Sequence, residues 1–403
     1  MKSGGLSEPM KPVADRLVAL DALRGAALLG VLLVNLEVGF RVSLFQQMLT
    51  PHTHAGWLNR ATDILIAWVF EFKAFTLFSF LFGVGVGVQA ERAAAHSAKA
   101  TRFLARRFAV LLIIGLCHML LIWNGDILTL YAVCGLLLLP FIALPARWLA
   151  AFGIALIALA PYLPFFGAFF PAQEALREHA VIATRVYATG SFAEIMALRW
   201  HEAWRFITPL LLSSLPRTFG LMLCGIAVWR SGVLQRPLQH HTLLIRLCLI
   251  TGSLGALTTS LQLWANETGQ LPPAVFAWLY PHDVILLACA YGAGLLLWLS
   301  RAQASGARWL AAGGRMALSN YLAQSVLFSL LFYGFGLGLF GKLGSAVTAL
   351  LGMTVFVIQL RASACWLRRY QFGPAEWLWR SLTYGRWQPL EHTEVGANPS
   401  SAL

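Results

Sequence analysis

The chain has 403 residues, of which 58% are hydrophobic and only 12% are charged, and its formal net charge is +13. Soluble globular chains average about 25% charged residues, so this composition excludes a soluble enzyme, a disordered protein and a collagen-like protein. The basic residues separate apolar segments, which argues against nucleic acid as a partner and favours membrane lipids. The sequence therefore predicts an all-α protein that crosses a membrane several times.

Ten apolar segments are long enough to cross a bilayer as helices of roughly 20 residues. The predicted transmembrane helical domain, residues 17–361, follows a polar tail of residues 1–16 and precedes a C-terminal segment of residues 362–403. The ten segments are residues 17–40, 61–89, 107–123, 126–144, 148–170, 206–229, 243–264, 283–299, 316–340 and 345–361.

The distribution of Lys and Arg predicts the orientation of these spans. Most basic residues of the connections fall on one side of the membrane when the N-terminus is placed inside. The positive-inside rule then predicts about ten spans with both termini in the cytoplasm. Residues 171–205 form the longest outer segment, and their mixed charges fit either a helix along the outer interface or a solvated connector.

Charged residues at membrane depth cost at least about 2.5–3.5 kcal/mol each, so they need partners or a wet cavity. Asp21 and Arg24 open the first span at a spacing that permits an ion pair, and Asn35 follows about three turns later. Glu71 and Lys73 lie inside the second span, but two residues apart on a helix they cannot face each other. A polar cavity and structural ion pairs with other helices both remain open for them.

The densest group of polar residues lies where the third and fourth predicted spans meet. Asn124-Gly125 predicts a tight turn, His118 lies about one helical turn before it, and Asp126 begins the next span. A histidine can act as a general base, and a nearby carboxylate can orient it. His118 and Asp126 are therefore the predicted catalytic pair. The alternatives are that Asp126 only caps its helix and that His118 only bonds a neighbouring helix.

The start of the ninth span is a further candidate. Asn320 and Gln324 share a helix face there, and they are predicted either to line a cavity or to hydrogen-bond a neighbouring helix. Arg106, Arg107 and Arg315 lie at the inner ends of spans, where positive-inside topology alone also explains them. Weaker candidates, which interfacial polarity explains as well, are Arg217, His201, Glu202, His282 and Asp283.

Five stretches of the chain resemble the YeiB-like family of bacterial membrane proteins, a domain of unknown function. They are LVALDALRGAALLGVLLVNL (17–36), FKAFTLFSFLFGVG (72–85), RRFAVLLIIGLCHMLLIWNGDILTLYAVCG (106–135), GRMALSNYLAQSV (314–326) and FGPAEWLWRSLTYG (372–385). The middle of the chain, residues 145–310, matches only in hydropathy. The resemblance implies a multi-pass protein of the bacterial plasma (inner) membrane.

The opening D-x-x-R-G segment at Asp21 and the segment around Asn320 are also similar to transmembrane acyltransferases of the heparan-glucosaminide N-acetyltransferase type. Those proteins use a membrane-embedded histidine to pass an acetyl group across the bilayer. Their histidine follows the first span, whereas His118 lies in the third, so the resemblance implies the reaction but leaves the base open.

The expected function is therefore transfer of an acyl group from a cytoplasmic acyl-CoA to a glycan or lipid-linked acceptor at the outer face. The residues expected to act are His118 and Asp126 in catalysis, Arg24, Arg106, Arg107 and Arg315 at the donor, and Asn35, Glu71, Lys73, Asn320 and Gln324 in a polar cavity. A transporter or lipid flippase and a structural or assembly role are the alternatives. No tightly bound cofactor is expected. None of the six cysteines has CxxC spacing, so neither a zinc site nor a disulfide framework is indicated, and no metal site is expected. The oligomeric state, with a dimer as one option, stays open.

Overall fold

The computed structural model describes residues 13–49, 56–96, 100–159, 162, 172–268, 273–301 and 305–392. In this part of the chain every long element is a helix, and one isolated antiparallel bridge joins Tyr370 to Glu391. The α-helices are, in chain order, α1 Val13–Asn35, α2 Leu44–Leu49, α3 Trp57–Val69, α4 Lys73–His96, α5 Ala100–Cys117, α6 Leu128–Leu138, α7 Ala146–Leu159, α8 Gln173–Thr189, α9 Phe192–Glu202, α10 Thr208–Ser231, α11 His241–Thr268, α12 Pro273–Arg301, α13 Ser305–Arg315, α14 Ala317–Phe332, α15 Ser345–Arg369 and α16 Pro374–Tyr384. Most of the predicted tail, the end of the predicted fifth span and the last residues of the C-terminal segment lie outside the described residues.

Seven helical runs of the described residues are long and apolar enough to cross a membrane, and three shorter apolar helices accompany them. The long runs are Val18–Phe40, Trp57–Ala93, Thr101–Ile122, Phe192–Ser231, His241–Ala265, His282–Ser300 and Ser345–Arg369. The shorter ones are α6, α7 and α14, and each of the ten predicted segments overlaps one of these ten runs. The chain is an all-α membrane protein, while the number of crossings and the side of the termini stay predictions.

The second predicted span consists of two helices that residues 70–72 separate. Phe72 has a φ of 56°, in the left-handed region that non-glycine residues seldom adopt. The Glu71 N–H bonds one residue further back than in a regular α-helix, which releases the Ala67 carbonyl. The buried Lys73 ammonium donates to that carbonyl at 2.9 Å. The prediction of one continuous helix was wrong here, because hydropathy does not reveal this exchange of hydrogen bonds.

Three π-helical turns prolong regular helices within the described residues. They are Leu36–Phe40 after α1, His118–Ile122 after α5 and Ala203–Ile207 before α10. Single π-helical turns inside α-helices occur frequently at functional sites. One of these turns begins at His118, the predicted base, and the other two contribute residues to a cavity described below.

Helices α4 and α10 approach each other closely through two glycines. A Cβ atom on Gly83 would overlap the backbone of Met222, and one on Gly225 would overlap the carbonyl of Phe80. Small residues allow membrane helices to pack backbone against backbone. This contact fixes the relative position of two helices that both border the candidate site.

A cluster of buried hydrophobic residues surrounds the link between α5 and α6. Trp123 in this link stacks on Phe40 with ring centroids 4.5 Å apart, and Phe328 of α14 packs on the same phenylalanine at 5.6 Å. Aromatic pairs of this kind add about 0.5–1.5 kcal/mol beyond the burial of their area. The link is therefore held in place by side chains from both halves of the chain.

Candidate active site

The α5–α6 hairpin brings His118 and Asp126 into contact. His118 Nδ1 and Asp126 Oδ1 are 2.8 Å apart, and the two side chains are 1% and 0% exposed. The Asp126 carboxylate also accepts from the backbone N–H groups of Leu128 at 3.1 Å and Thr129 at 2.7 Å. Asp126 therefore caps α6 and bonds the histidine at once, so the two predicted roles of this carboxylate coexist.

This geometry determines which nitrogen of His118 is available. Because both oxygens of Asp126 accept backbone N–H bonds, the hydrogen of this contact is assigned to Nδ1 of His118, which donates it to Asp126. In the neutral imidazole the lone pair then lies on Nε2, a buried atom with no hydrogen-bond partner among the described residues. An imidazole nitrogen with a free lone pair can accept a proton, which is the chemical requirement for a general base.

A first cavity of about 330 Å³ lies beside the α5–α6 link, and we call it the apolar cavity. Its polar side chains come from the end of α1, from the link and from α10. They are Asn35, Asn124, Asp126, Ser213, Ser214 and Arg217. The remaining lining is mostly aliphatic and aromatic, including side chains of the break between α3 and α4.

A second cavity of about 290 Å³ is lined by four arginines, and we call it the basic cavity. Arg24 is paired with Asp21 at 2.8 Å, and Arg107 lies 3.7 Å from the ring centroid of Trp379. The remaining two arginines come from the end of α13 and from α16. The polar residues of the lining are Arg24, Gln89, Arg107, Tyr131, Arg315, Tyr321, Glu376 and Arg380.

The His118–Asp126 pair lies between these two cavities. The His118 ring is 5.0 Å from the ring of Tyr321, which lines the basic cavity, and 6.4 Å from that of Trp123, which lines the apolar cavity. Val31 and Ile127 line both cavities, so the two adjoin at the α5–α6 link. Asp126 itself lines the apolar cavity, whereas His118 lines neither cavity and lies next to wall residues of both.

The predicted donor residues divide into two groups. Arg24, Arg107 and Arg315 all line the basic cavity, although they lie on three different helices. Arg106 is exposed beside Gly385 and lines neither cavity, because the neighbouring Arg107 occupies the inward face of α5. The expectation that Arg106 joins this site is corrected.

The predicted cavity residues of the second span lie elsewhere. Lys73 is 3% exposed and lies 3.9 Å from Asp283, whose carboxylate accepts from Thr259 at 2.8 Å. Glu71 borders a narrow crevice with Glu37. Neither residue lines the apolar or the basic cavity. Of the two alternatives for Lys73, a polar cavity and a structural ion pair, the contact with Asp283 favours the ion pair.

Asn320 and Gln324 also lie outside both cavities. Asn320 Nδ2 donates to Gly313 O at 3.2 Å and to Ser363 Oγ at 3.0 Å, and Gln324 Nε2 donates to Gln359 Oε1 at 2.7 Å. These bonds join α14 to α13 and α15. The cavity role expected of Asn320 and Gln324 is corrected in favour of hydrogen bonding between helices, because their shared face is turned toward neighbouring helices.

Glu202, one of the weaker candidates from the sequence, has a buried carboxylate that holds the α5–α6 link in place. Glu202 accepts from Asn124 Nδ2 and from Tyr187 OH, each at 2.5 Å, and from His179 Nε2 at 2.8 Å. Burial and the neighbouring carboxylate raise the pKa of Tyr187 well above its ordinary value, so its hydroxyl stays a donor. The fully buried Arg199 donates to Leu121 O at 3.1 Å. These hydrogen bonds join helices α8 and α9, in the predicted outer segment, to the end of α5 and to the α5–α6 link.

Arg380 and Asn124 are site residues that the sequence reasoning did not select. Arg380 lies on α16 in the C-terminal segment, some 270 residues from Arg107. The only sequence signal for it was its place in the FGPAEWLWRSLTYG stretch. Within the described residues, no three His, Cys, Asp or Glu side chains are grouped so as to hold a metal ion.

Comparison with known proteins finds relatives along almost the whole chain. The family described as "Protein of unknown function (DUF418)" matches residues 228–386. The uncharacterized protein YxaH of Bacillus subtilis (strain 168) is 33% identical over 399 residues, which cover 93% of this chain and 96% of the relative. An uncharacterized 39.9 kDa protein of Bacillus acidopullulyticus is 30% identical over 384 residues, covering 94% and 98%. The uncharacterized protein YeiB of Escherichia coli (strain K12) is 29% identical over 405 residues, covering 92% and 96%. No solved structure matches.

Proposed function

The chain belongs to the YeiB-like family of membrane proteins, and we propose that it is an acyltransferase whose two substrates enter its two cavities. The observation that carries the proposal is the His118–Asp126 pair, which lies between a basic cavity and an apolar cavity. A base in this position suits transfer from an anionic donor to an acceptor that arrives from the other side. We propose the plasma (inner) membrane of a bacterium as the location.

The basic cavity suits a donor that carries phosphate groups, and acyl-CoA is the proposed donor. Guanidinium groups bind phosphate oxygens through short, charge-assisted hydrogen bonds, and four of them line this cavity. In the predicted topology this is the cytoplasmic cavity, because α16 follows the last span and lies on the inner side. The acceptor then occupies the apolar cavity, toward the outer face.

The reaction balances without a redox partner or a metal. His118 Nε2 takes the proton of an acceptor hydroxyl or amine while the acceptor atom attacks the thioester carbonyl carbon. The carbon–sulfur bond then breaks, and the leaving thiolate takes the proton from the imidazolium. Asp126 stabilises the imidazolium while it exists, and a general base of this kind typically contributes about 10²- to 10⁴-fold in rate.

The test follows an acyl group into membrane components. Membranes that contain the protein receive radiolabelled acetyl-CoA, and the label is measured in the lipid and glycan fractions. We expect His118→Ala to lower transfer about 100-fold or more at equal protein levels. His392→Ala is the matched control, because His392 is exposed and lines neither cavity. Wild-type rates from His118→Ala, or no labelled product from the wild type, would overturn the proposal.

A transporter or lipid flippase is the second candidate function. The observation in its favour is the buried Lys73–Asp283 pair, since ionisable residues within membrane spans often mark solute or proton pathways. This function needs no base between the cavities. It predicts uptake or flipping of a labelled substrate by proteoliposomes at rates that His118→Ala leaves unchanged and Asp283→Asn reduces.

A further inference from the structure

The four arginines of the basic cavity are not equivalent, because the protein itself engages only two of them. Arg24 is in an ion pair on its own helix, and Arg315 Nη2 donates to a backbone carbonyl at 3.1 Å. The side chains of Arg107 and Arg380 form neither an ion pair nor a hydrogen bond with any described residue. The Nε atom of each is a buried donor without a partner in this part of the chain.

Aromatic rings hold these two guanidinium groups in place. The Cζ atom of Arg107 lies 3.7 Å from the ring centroid of Trp379, and that of Arg380 lies 4.9 Å and 5.0 Å from those of Phe372 and Tyr384. A ring contact covers one face of a guanidinium, whereas its five N–H donors point outward in its plane. Trp379 Nε1 also donates to the Arg107 carbonyl at 2.8 Å, which fixes α16 on α5. Both cations are therefore positioned while their N–H donors stay available to a ligand.

The charge of this pair is not balanced within the cavity. The guanidinium groups of Arg380 and Arg24 are close enough to that of Arg107 for their charges to repel it. Among the described residues of the lining, Glu376 is the one acidic side chain, and its carboxylate accepts from two backbone N–H groups at the start of α14, at 2.7 and 3.1 Å. Like charges that are partly removed from water repel each other strongly. A bound anion removes this repulsion and gives both buried donors an acceptor.

The cavity itself indicates the kind of anion. Guanidinium groups match the oxygens of phosphate, and a volume of about 290 Å³ exceeds the needs of a small ion and approaches the roughly 300–1,000 Å³ of small-molecule sites. Trp379 and Arg380 belong to α16, which is not among the helical runs long and apolar enough to cross a membrane. The phosphate end of the cavity thus lies next to a helix outside the apolar spans, which favours a soluble ligand over a lipid.

We propose that Arg107 and Arg380 form a phosphate-binding subsite of the basic cavity, and that its ligand is a soluble phosphate ester with an organic arm. The arm lies along the cavity, whose lining includes Tyr321, 5.0 Å from the ring of His118. Coenzyme A has this order of groups, since its diphosphate precedes an uncharged pantetheine arm that ends in the thiol. Identification of the ligand as acyl-CoA rests on the proposed function, whereas the phosphate subsite stands on the cavity alone.

The test measures binding without an acyl group, so its outcome is independent of the transfer reaction. The detergent-purified full-length protein is titrated with coenzyme A, with pantetheine, which lacks the phosphates, and with phosphatidic acid, whose phosphate is carried by a lipid. Bound ligand is counted by native mass spectrometry. We expect one coenzyme A per chain to bind about tenfold or more tightly than either of the other two probes.

Variants then assign the phosphate to the two arginines. We expect Arg107→Gln and Arg380→Gln each to weaken the binding of coenzyme A about tenfold and to leave the binding of pantetheine unchanged. Arg106→Gln and Arg386→Gln are the matched controls. They remove the same charge from the same or the adjoining segment, but Arg106 and Arg386 are exposed and line neither cavity.

Three outcomes overturn the inference. Wild-type affinity of either Arg107→Gln or Arg380→Gln for coenzyme A excludes the subsite of two arginines. Equal affinity of the wild type for pantetheine excludes a role for phosphate, and equal or tighter binding of phosphatidic acid excludes the soluble ligand. The last two are measured on the wild type alone and hold even when the variants do not accumulate.

Failure of this inference and failure of the proposed function give different results. If coenzyme A binds as expected but the wild type transfers no acyl group, the proposed function fails and the phosphate subsite stands. If the wild type transfers acetyl groups and both arginine variants do so with an unchanged KM for acetyl-CoA, the subsite fails and the proposed function stands.

Discussion

Glu202 and Asn124, 78 residues apart in the chain, are joined by a hydrogen bond of 2.5 Å between Oε2 and Nδ2. Asn124 lines the apolar cavity two residues before Asp126, and the same carboxylate also accepts from His179 and Tyr187. The bond therefore ties the link that carries the candidate acid–base pair to helices α8 and α9.

We expect Glu202→Ala to destabilise the protein markedly. The substitution leaves three donors without their acceptor in a buried place, and each unsatisfied group costs about 1–3 kcal/mol. Thermal unfolding in detergent measures the change. Glu178→Ala on α8 is the control, because Glu178 is exposed. An equal melting temperature for the two variants would show that the cluster contributes nothing to stability.

Asp126→Asn separates the two roles of this carboxylate. Asparagine is about as good as aspartate at a helix N-terminus. Its one acceptor oxygen cannot replace both carboxylate oxygens, so we expect a modest fall in stability of about 1–2 kcal/mol. The amide lacks the charge that stabilises an imidazolium and no longer fixes its tautomer, so acyl transfer should fall about 100-fold or more. Rates of labelled acetyl transfer at equal protein levels measure it. If the variant transfers acetyl groups at the wild-type rate, Asp126 acts only as a cap of α6.

For Lys73 the structure changes the expected outcome of a substitution. A cavity role predicts that Lys73→Met impairs activity while expression is kept. The buried pair with Asp283 predicts a loss of stability instead, by about 3–5 kcal/mol, because an uncompensated carboxylate is left inside. Adding Asp283→Leu to Lys73→Met should restore much of the melting temperature. Lys342→Met, at an exposed lysine, is the control, and a double variant no more stable than the single one would contradict the pair.

Glu376 makes the stability depend on pH. Burial raises its pKa above the ordinary value, although bonds from Ser319 and Leu318 act in the opposite direction. A raised pKa in the folded state means that the contribution of this group to stability is complete below pH about 4.5 and is lost as the pH rises through the folded pKa. Melting temperatures of the wild type and Glu376→Gln are compared across this range. We expect their difference to change with pH, and a constant difference would exclude Glu376 as the titrating group.

Topology is tested by reporter fusions. Fusions after residues 99, 190, 240 and 305 should report inside, outside, inside and inside, if ten spans place both termini in the cytoplasm. The same result would assign the basic cavity to the side where acyl-CoA is available. An inside signal at residue 190 would instead require a different number of spans.

Hydropathy, turn signals and short spacings determined the features of this protein that are local in the chain. The segments that pass through the bilayer follow from residue composition alone, because every span must bury an apolar surface and satisfy its own backbone. The contact between His118 and Asp126 was predictable for a similar reason. They are eight positions apart, at the two ends of the short link between α5 and α6, so few conformations of the hairpin keep them apart.

Only the tertiary structure decided which distant residues meet. Arg107 and Arg380 reach one cavity from α5 and α16, and Lys73 meets Asp283 across 210 positions. Arg106 and Arg107 are adjacent and alike in sequence, yet the rotation of α5 against its neighbours turns only one of them into the basic cavity. Local patterns contain neither this rotation nor the break at Phe72, because both result from the packing of one helix against another.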